Sequence, residues 1–148
     1  MERLKRVVDT VIKVRLVECD PYNIVHNSNY FVWFELGRLD YAKKFGYHIK
    51  NIRDENIVYM TLAIKCKFLK SAHYDDELII KTRINKIPII YAKYSFEQKL
   101  YHMKTGELLA VSQTQNVAID RERNAVLRLE EDERYSKMEK SIREDIEI

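Results

Sequence analysis

The chain has 148 residues, of which 46% are hydrophobic and 33% charged, and its formal net charge is +3. This composition excludes a disordered or fibrous chain, and the length suits one domain that buries its own core. The lysines and arginines form no dense cluster, which argues against a nucleic-acid-binding protein. No apolar run is long enough to span a membrane. We therefore expect one domain over residues 1–148, in a cytoplasmic protein with no membrane span and no nucleic-acid partner.

The first predicted element is a strand over residues 11–17, in which Ile12, Val14 and Leu16 share one face. The segment that follows, residues 19–29, shows no hydrophobic period. It is rich in residues that favour turns and helix caps, so we expect a loop there.

A helical period follows over about residues 28–45, with apolar and aromatic side chains on much of the surface. Asn27 or Ser28 is a suitable N-cap, and Gly46 stands where a glycine often ends a helix. Because so much of its surface is apolar, we expect this helix to be heavily covered by the rest of the protein.

Four further strands are predicted from alternating apolar residues, over residues 58–68, 78–85, 90–100 and 108–119. In the first of these strands, one apolar face comprises Val58, Met60, Leu62, Ile64, Cys66 and Phe68. The links at 71–76, around Pro88 and at 103–107 are short. Short links between successive strands favour hairpins or an antiparallel meander.

Together these elements predict an α+β fold in which an antiparallel sheet of about five strands curls around one long helix. A final stretch, about residues 131–147, places Tyr135, Met138, Ile142 and Ile146 on one stripe. We expect an amphipathic C-terminal helix there. The open edges and faces of such a sheet favour association with a second copy of the chain.

Asp20 is the acidic residue with the most suggestive position, seven residues before the predicted helix start at Asn27. The first amides of a helix lack internal partners and carry partial positive charge, so they can stabilise a developing oxyanion. A carboxylate facing them could attack a carbonyl or activate water against it. An Asp-Pro turn before a capped helix is also common, so the residues alone leave a purely structural role for Asp20 open.

One segment also resembles a known family, through the order and spacing of Asp20, Ile24, Val25, Tyr30, Trp33, Phe34, Glu35 and Arg38. It is similar to the active-site segment of the 4-hydroxybenzoyl-CoA thioesterase-like hotdog-fold acyl-CoA thioesterases. Weaker matches in residues 68–78, 105–110 and 118–120 extend the resemblance over about residues 8–130. The resemblance implies a hotdog fold, in which a sheet wraps a long central helix.

The resemblance also implies residue roles. Asp20 falls on the family's catalytic carboxylate, which acts as nucleophile or as general base. Asn27 falls on the helix-start position whose backbone N–H binds the thioester carbonyl. We assign substrate contacts to Tyr22, His26, Tyr30 and Lys70, with core packing, backbone hydrogen bonding and ordinary surface charge as the alternatives. Glu35 matches a family glutamate, and either a structural pairing with Arg38 or a contact with another subunit would account for it.

Two positions depart from the family pattern. Asn23 stands where the family usually has glycine, and asparagine tolerates the left-handed backbone that such a turn requires. Asn27 stands where the family often has histidine, while His26 lies one position earlier. If only the backbone amide is needed at that position, asparagine serves equally well.

The sequence therefore predicts a homo-oligomeric acyl-CoA thioesterase, dimeric or tetrameric, that hydrolyses an acyl-CoA to a carboxylic acid and CoA. Cys19 and Cys66 have no metal-ligand spacing, and we expect free thiols, no metal and no redox cofactor. Two alternatives stay open. One is a thioesterase acting on acyl-carrier protein, and the other is a non-catalytic acyl-CoA-binding module.

Overall fold

The structure is a computed structural model that describes residues 6–44, 56–86 and 92–128, together with Lys140. Its elements are, in chain order, β1 (Val8–Lys13), a 3₁₀ turn (Leu16–Glu18), α1 (Asn27–Lys44), β2 (Ile57–Phe68), β3 (Glu77–Lys86), β4 (Lys93–His102), β5 (Leu108–Asp120) and β6 (Ala125–Val126). All strand pairs are antiparallel, the order across the sheet is β1-β3-β4-β5-β2, and β6 pairs with β5. One long helix against one antiparallel sheet confirms the predicted α+β architecture.

Helix α1 lies mainly across β1 and β3 and also touches β4. The helix contributes four large buried side chains to the core, Tyr30, Trp33, Phe34 and Tyr41. The sheet contributes aliphatic side chains, among them Ile12, Leu78, Ile80 and Leu100. Burial of these apolar surfaces is the main force that holds the helix on the sheet.

The helix and the sheet come very close at Gly37. A β-carbon at this position would lie 2.8 Å from both Gln98 Nε2 and Thr82 Oγ1. The buried Gln98 amide uses this proximity, because its Nε2 donates to the Phe34 carbonyl at 2.7 Å and to Thr82 Oγ1 at 3.0 Å. The bond to Phe34 joins the helix to the sheet, and a side chain at Gly37 would collide with the amide that forms it.

The start of α1 differs from the prediction. The helix begins at Asn27, so the preceding residue, His26, is the N-cap rather than Asn27 or Ser28. His26 Nδ1 accepts a hydrogen bond from the Ser28 N–H at 3.2 Å, as a capping side chain does. The predicted helix end at Phe45 and Gly46 lies outside the described residues.

The expectation of a heavily covered helix is wrong for the single chain. Only one side of α1 packs on the sheet, where it lies mainly against β1 and β3 and much less against the other strands. The other side exposes Phe31, Val32 and Leu36, each by more than a third of its surface.

The first strand is also shifted relative to its prediction. It runs over Val8–Lys13, with Val8, Thr10 and Ile12 buried and the residues between them exposed. Leu16 was expected to continue the buried face, but it is exposed. The reason is that the chain leaves the sheet and enters the 3₁₀ turn at Leu16, which breaks the alternation.

Strand β2 does not form a hairpin with β3, contrary to the predicted meander. It pairs with β5 and occupies the edge opposite β1, whereas β3, β4 and β5 do form a meander. The link between β2 and β3 is therefore a crossing loop. It is pinned near the start of α1, because Ala72 is buried, donates its N–H to Tyr30 Oη and accepts from the Val25 N–H.

A β-bulge corrects the predicted face of β2. The register with β5 shifts between Thr61 and Ala63, and an extra residue in one strand exchanges the two faces beyond it. The alternating residues of β5 from Ala110 to Asp120 are all buried, and their partners in β2 form one face: Ile57, Tyr59, Thr61, Ile64, Cys66 and Phe68. Val58, Met60 and Leu62 therefore do not share a face with Ile64.

Two predicted features lie outside the described residues, the link at Pro88 and the C-terminal helix over residues 131–147, of which only Lys140 is described. The single-domain assignment stays a prediction. In the described part of the chain, α1 is too polar to cross a membrane, and no other helix is long enough.

Candidate active site

The loop before α1 forms a tight, hydrogen-bonded turn. The Asp20 N–H donates to the Ile24 carbonyl at 2.9 Å, and the Asn23 N–H donates to the Asp20 carbonyl at 3.0 Å. Asn23 has φ of +62°, in the left-handed region that asparagine tolerates. The turn thus has a left-handed backbone with asparagine at the position where the resemblance leads one to expect glycine.

The Asp20 carboxylate is half-buried and only partly engaged by the protein. Its Oδ1 accepts a hydrogen bond from the Tyr22 N–H at 2.8 Å. Among the described residues no other group bonds to this carboxylate. The second oxygen, Oδ2, is thus left to accept a proton from water or to attack an electrophile.

The amides at the start of α1 are also only partly used. The Ser28 N–H donates to His26 Nδ1, and the Asn29 N–H donates to the His26 carbonyl at 3.0 Å. The Asn27 N–H donates to no acceptor within the described ranges. It lies at the positive end of the helix dipole, where a carbonyl oxygen gaining negative charge is stabilised.

Asp20 and Asn27 line one open groove of about 360 Å³. The remaining lining residues are Ile24, Val25, His26, Tyr30, Phe68, Leu69, Lys70 and Ser71. The groove therefore joins the loop, the start of the helix and the end of β2. An acid and an unpaired helix amide in one groove are the two groups that acyl-group hydrolysis requires.

Tyr30 forms a wall of the groove and is buried. Its Oη accepts the Ala72 N–H at 3.1 Å, and its ring packs against Trp33 and Phe68 with centroids 5.1 Å apart in both pairs. Desolvation raises the pKa of the phenol above its ordinary value. Tyr30 is therefore a neutral, fixed surface for a ligand to pack on.

Of the other three residues assigned to substrate contacts, two line the groove. His26 is exposed at the groove and caps the helix, and Lys70 pairs with Glu107 at 2.9 Å. Tyr22 is exposed and is not among the lining residues. The substrate contacts of all three stay predictions.

Arg38 and Glu35 lie further along the helix. Arg38 Nη1 donates to Gln98 Oε1 at 3.1 Å, and desolvation lowers the pKa of its guanidinium, against the opposing charge of Glu35. Glu35 is exposed, and it forms no ion pair with Arg38 within 4 Å. Glu35 and Arg38 therefore interact through their charges without a close ion pair.

Glu18 is a buried acid that the sequence analysis did not single out. Its side chain is 4% exposed, two residues before Asp20. No motif marks it, because a glutamate between polar and apolar loop residues usually points to solvent.

The described segments contain no cluster of three or more histidine, cysteine or acidic side chains that could hold a metal ion.

The sequence and the fold both match known proteins. The family model described as the thioesterase-like superfamily matches residues 14–145. A putative acyl-CoA thioesterase of Bacillus subtilis, YneP, is 26% identical over 111 residues, which cover 75% of this chain and 78% of that protein.

Two solved structures illustrate the structural likeness. A DHNA-CoA thioesterase from Staphylococcus aureus superposes with a TM-score of 0.79 at 25% identity, covering 93% of this chain and 94% of its own. A mutant of 4-hydroxybenzoyl CoA thioesterase, complexed with 4-hydroxybenzoyl CoA, gives a TM-score of 0.76 at 19% identity, covering 90% of this chain and 98% of its own. The second likeness shows the fold alone.

Proposed function

The chain belongs to the thioesterase-like superfamily and has the hotdog fold, and from this premise we propose that it hydrolyses acyl-CoA thioesters through Asp20 and Asn27. The reaction converts R–CO–S–CoA and water into a carboxylic acid and free CoA. The substrate class follows from the similar proteins, whose names specify CoA thioesters. The acyl group itself is left open, from short aliphatic chains to aromatic rings.

One observation carries the assignment of the site. Asp20 and Asn27 line the same groove, and each retains hydrogen-bonding capacity that the described protein groups do not use. An unpaired carboxylate oxygen and an unpaired amide N–H are costly to desolvate, so a site that keeps both is suited to a polar ligand. A thioester carbonyl with an attacking water between the two groups satisfies both.

In the general-base route, Asp20 removes a proton from water while the water oxygen bonds to the carbonyl carbon. The carbonyl electron pair moves onto oxygen, and the Asn27 N–H stabilises this oxyanion. When the intermediate collapses, the C–S bond breaks and the thiolate takes the proton from Asp20. The carboxylate of Asp20 is then ready for another turnover.

In the nucleophile route, an Asp20 oxygen itself bonds to the carbonyl carbon and displaces the CoA thiolate. Water then hydrolyses the resulting acyl-aspartyl anhydride. The two routes use the same residues and give the same products. Acid quenching during turnover followed by mass spectrometry would detect an acyl group on Asp20 only in the nucleophile route.

The remaining assigned residues provide binding rather than chemistry. Tyr30 packs against the acyl group or the thioester, and His26 contacts the substrate from the lining of the groove. Tyr22 contacts it from the turn that contains Asp20. Lys70 contacts a phosphate of CoA after leaving Glu107. That exchange is easy, because a surface ion pair contributes only about 0–1 kcal/mol.

We infer that the working form contains a second copy of the chain. Strand β2 pairs only with β5 among the described strands, which leaves a long open edge. Apolar side chains are exposed on β2, with Met60 and Leu62 on one face and Ile64 on the other. The uncovered side of α1 exposes Phe31, Val32 and Leu36. A homodimer through β2 would cover these side chains and place the acyl group between α1 and the sheet of the neighbouring subunit.

Light scattering coupled to gel filtration tests the dimer. Leu62→Lys is expected to give monomers, because it places a charge in the covered surface. Val11→Lys is the matched control, since Val11 is equally exposed on the opposite edge strand, and it should leave the dimer intact. A monomeric wild-type protein would rule out the dimer.

A hydrolysis panel tests the function. Purified protein is mixed with short-chain, long-chain and aromatic acyl-CoAs, and with the same acyl groups on acyl-carrier protein, while thiol release is followed. We expect turnover of at least one acyl-CoA, faster than of its carrier-protein counterpart. Preference for the carrier-protein ester would identify a thioesterase that acts on acyl-carrier protein. Tight binding of a non-hydrolysable acyl-CoA without any turnover would identify a binding module instead.

A cytoplasmic location and independence from metal and redox cofactors stay predictions. Cys19 and Cys66 are both free thiols, which is the usual state of cysteine in a reducing compartment. Activity that survives exhaustive treatment with a chelator is the expected result for the cofactor prediction.

A further inference from the structure

The buried carboxylate of Glu18 is fully engaged by its neighbours. Oε2 accepts the Trp33 indole N–H at 2.7 Å, and Oε1 accepts the Arg15 N–H at 2.8 Å. The Arg15 guanidinium Nε lies 3.3 Å from Oε1. Every oxygen of this side chain therefore has a donor, in contrast to the Asp20 carboxylate two residues later.

The backbone of Glu18 ties the same residue to the start of the helix. Its carbonyl accepts the His26 N–H and the Asn29 side-chain Nδ2, each at 2.9 Å. Glu18 is thus bonded to the chain before the loop, to the helix cap and, through Trp33, to the second turn of α1. These contacts connect the two ends of the loop that contains Asp20.

Stability alone does not explain why a glutamate occupies this buried position. Burial raises the pKa of the Glu18 carboxyl, and the hydrogen bonds from Arg15 and Trp33 more than offset this effect, so the pKa lies below its ordinary value. An apolar side chain would fill the same space without desolvating a charge. What an apolar side chain cannot do is fix the loop and the helix at defined hydrogen-bond distances.

We propose that Glu18 is a positioning residue for the hydrolysis: through Trp33 and Arg15 it holds the loop so that Asp20 faces the Asn27 N–H. The inference rests on the proposed function, because it concerns the same groove. It goes beyond that function by assigning a task to a residue that lines no part of the groove.

Glu18→Gln tests the proposal with little change in shape. Its single remaining acceptor oxygen serves either Trp33 or Arg15, but not both. With kcat and KM measured well below the unfolding temperature, we expect kcat to fall about 10–100-fold while KM changes less than about threefold. A side chain that only stabilises the fold would lower the unfolding temperature and leave kcat unchanged.

Asp120→Asn is the matched control. Asp120 is also a buried carboxylate that pairs with an arginine and accepts a backbone N–H, but it ends β5 and is not among the groove residues. We expect it to lower the unfolding temperature and to keep kcat within about twofold of the wild type. Should Glu18→Gln behave as Asp120→Asn does, the proposal is wrong.

Trp33→Phe provides a second variant, which removes the indole donor and keeps a smaller aromatic ring at this position. We expect the kcat losses of Glu18→Gln and Trp33→Phe to be non-additive, with the double variant close to the worse single one, because both break one connection. Fully additive losses would contradict a connection through this bond.

Hydrogen exchange separates this proposal from the proposed function. In Glu18→Gln, the bonded amides of Asp20, Asn23 and His26 should exchange at least about tenfold faster, whereas amides in β4 should not change. This readout needs no activity, so it still applies if the wild-type protein hydrolyses no thioester. Unchanged exchange in the loop would overturn the positioning role.

Discussion

The loop that carries Asp20 and the turn between β5 and β6 are built in the same way. Each contains an asparagine in the left-handed region, Asn23 at φ +62° and Asn124 at φ +50°. Each is also held by a buried carboxylate just before it, which accepts a backbone N–H and pairs with an arginine: Glu18 before the loop and Asp120 before the turn.

The two regions differ in their second acid. In the turn the second acid is Glu122, which is exposed at the surface. In the loop it is Asp20, half-buried in a groove with one oxygen unused by the described protein groups. The anchoring carboxylate is thus a structural feature that both regions share. What makes the loop a candidate for chemistry is the additional acid and the helix amide opposite to it.

The largest effect is expected from exchanging the acids of the two regions for amides. Asp20→Asn should lower kcat/KM by about 100-fold or more, because an amide neither accepts a proton from water nor attacks a thioester. Its unfolding temperature should hardly change, since an asparagine oxygen can still accept the Tyr22 N–H. Thermal unfolding and thiol release measured on one preparation check both statements.

Asp120→Asn should give the reverse pattern, a lower unfolding temperature with unchanged hydrolysis. If Asp20→Asn retained full activity, Asp20 would not be a catalytic residue.

A backbone change tests whether the Asn27 N–H stabilises the oxyanion. Asn27→Pro removes the unpaired N–H, and proline is well tolerated at the first position of a helix. We expect kcat to fall about 100-fold, as for the loss of one oxyanion donor in other enzymes. Asn27→Ala is the control, because it keeps the N–H and should stay within about threefold of the wild type. Equal activities of the two variants would exclude the amide as the oxyanion donor.

Acid unfolding sharpens what the two regions share. Burial raises the pKa of Glu18, but hydrogen bonds outweigh this effect, so the pKa lies below its ordinary value. The Arg123 N–H and the Asn56 amide lower the pKa of Asp120. The unfolded chain therefore binds protons more tightly than the folded chain at these two groups. In the unfolded chain the pKa is about 4.3 for a glutamate and about 3.9 for an aspartate. The stability that Glu18 and Asp120 contribute is complete above these pH values and is lost as the pH falls below them.

Urea midpoints at several pH values between neutral and strongly acidic conditions measure this effect. Glu18→Gln and Asp120→Asn should each flatten the loss of stability in acid. A loss as steep in both variants as in the wild type would show that other groups cause it.

The smallest effect is expected at the rim of the groove. Lys70→Gln should raise KM for an acyl-CoA about two- to fivefold without changing kcat, and added salt should reduce the difference, because Lys70 is exposed and its charge is screened. Lys81→Gln, an exposed lysine on β3, is the control and should leave KM unchanged. A KM that is insensitive to both substitutions would remove Lys70 from the binding site.

Much of the fold could be predicted, because hydrophobic alternation and helical period are local properties of the sequence. The helix was placed within a residue of its observed start, and its buried aromatic residues form the core. Strand order could not be predicted in this way. The position of β2 at the far edge depends on pairing with β5, and the bulge near Leu62 depends on the register of that pairing.

The site was predictable only where a pattern of spacing marked it. The resemblance identified Asp20 and Asn27, and the structure places both on one groove. Glu18 escaped notice because its burial results from contacts with Trp33 and Arg15, which no local pattern shows. The role of His26 as the cap was missed for a similar reason, since it depends on a shift of one residue in the helix start.

A crystal structure with a non-hydrolysable acyl-CoA, in which a methylene group replaces the thioester sulfur, tests the central claim most directly. We expect the carbonyl oxygen within about 3.2 Å of the Asn27 nitrogen. The carbonyl carbon should face the Asp20 carboxylate, either directly or through one bound water. A carbonyl oxygen held by other groups, with packed side chains between the carbonyl carbon and Asp20, would contradict the account.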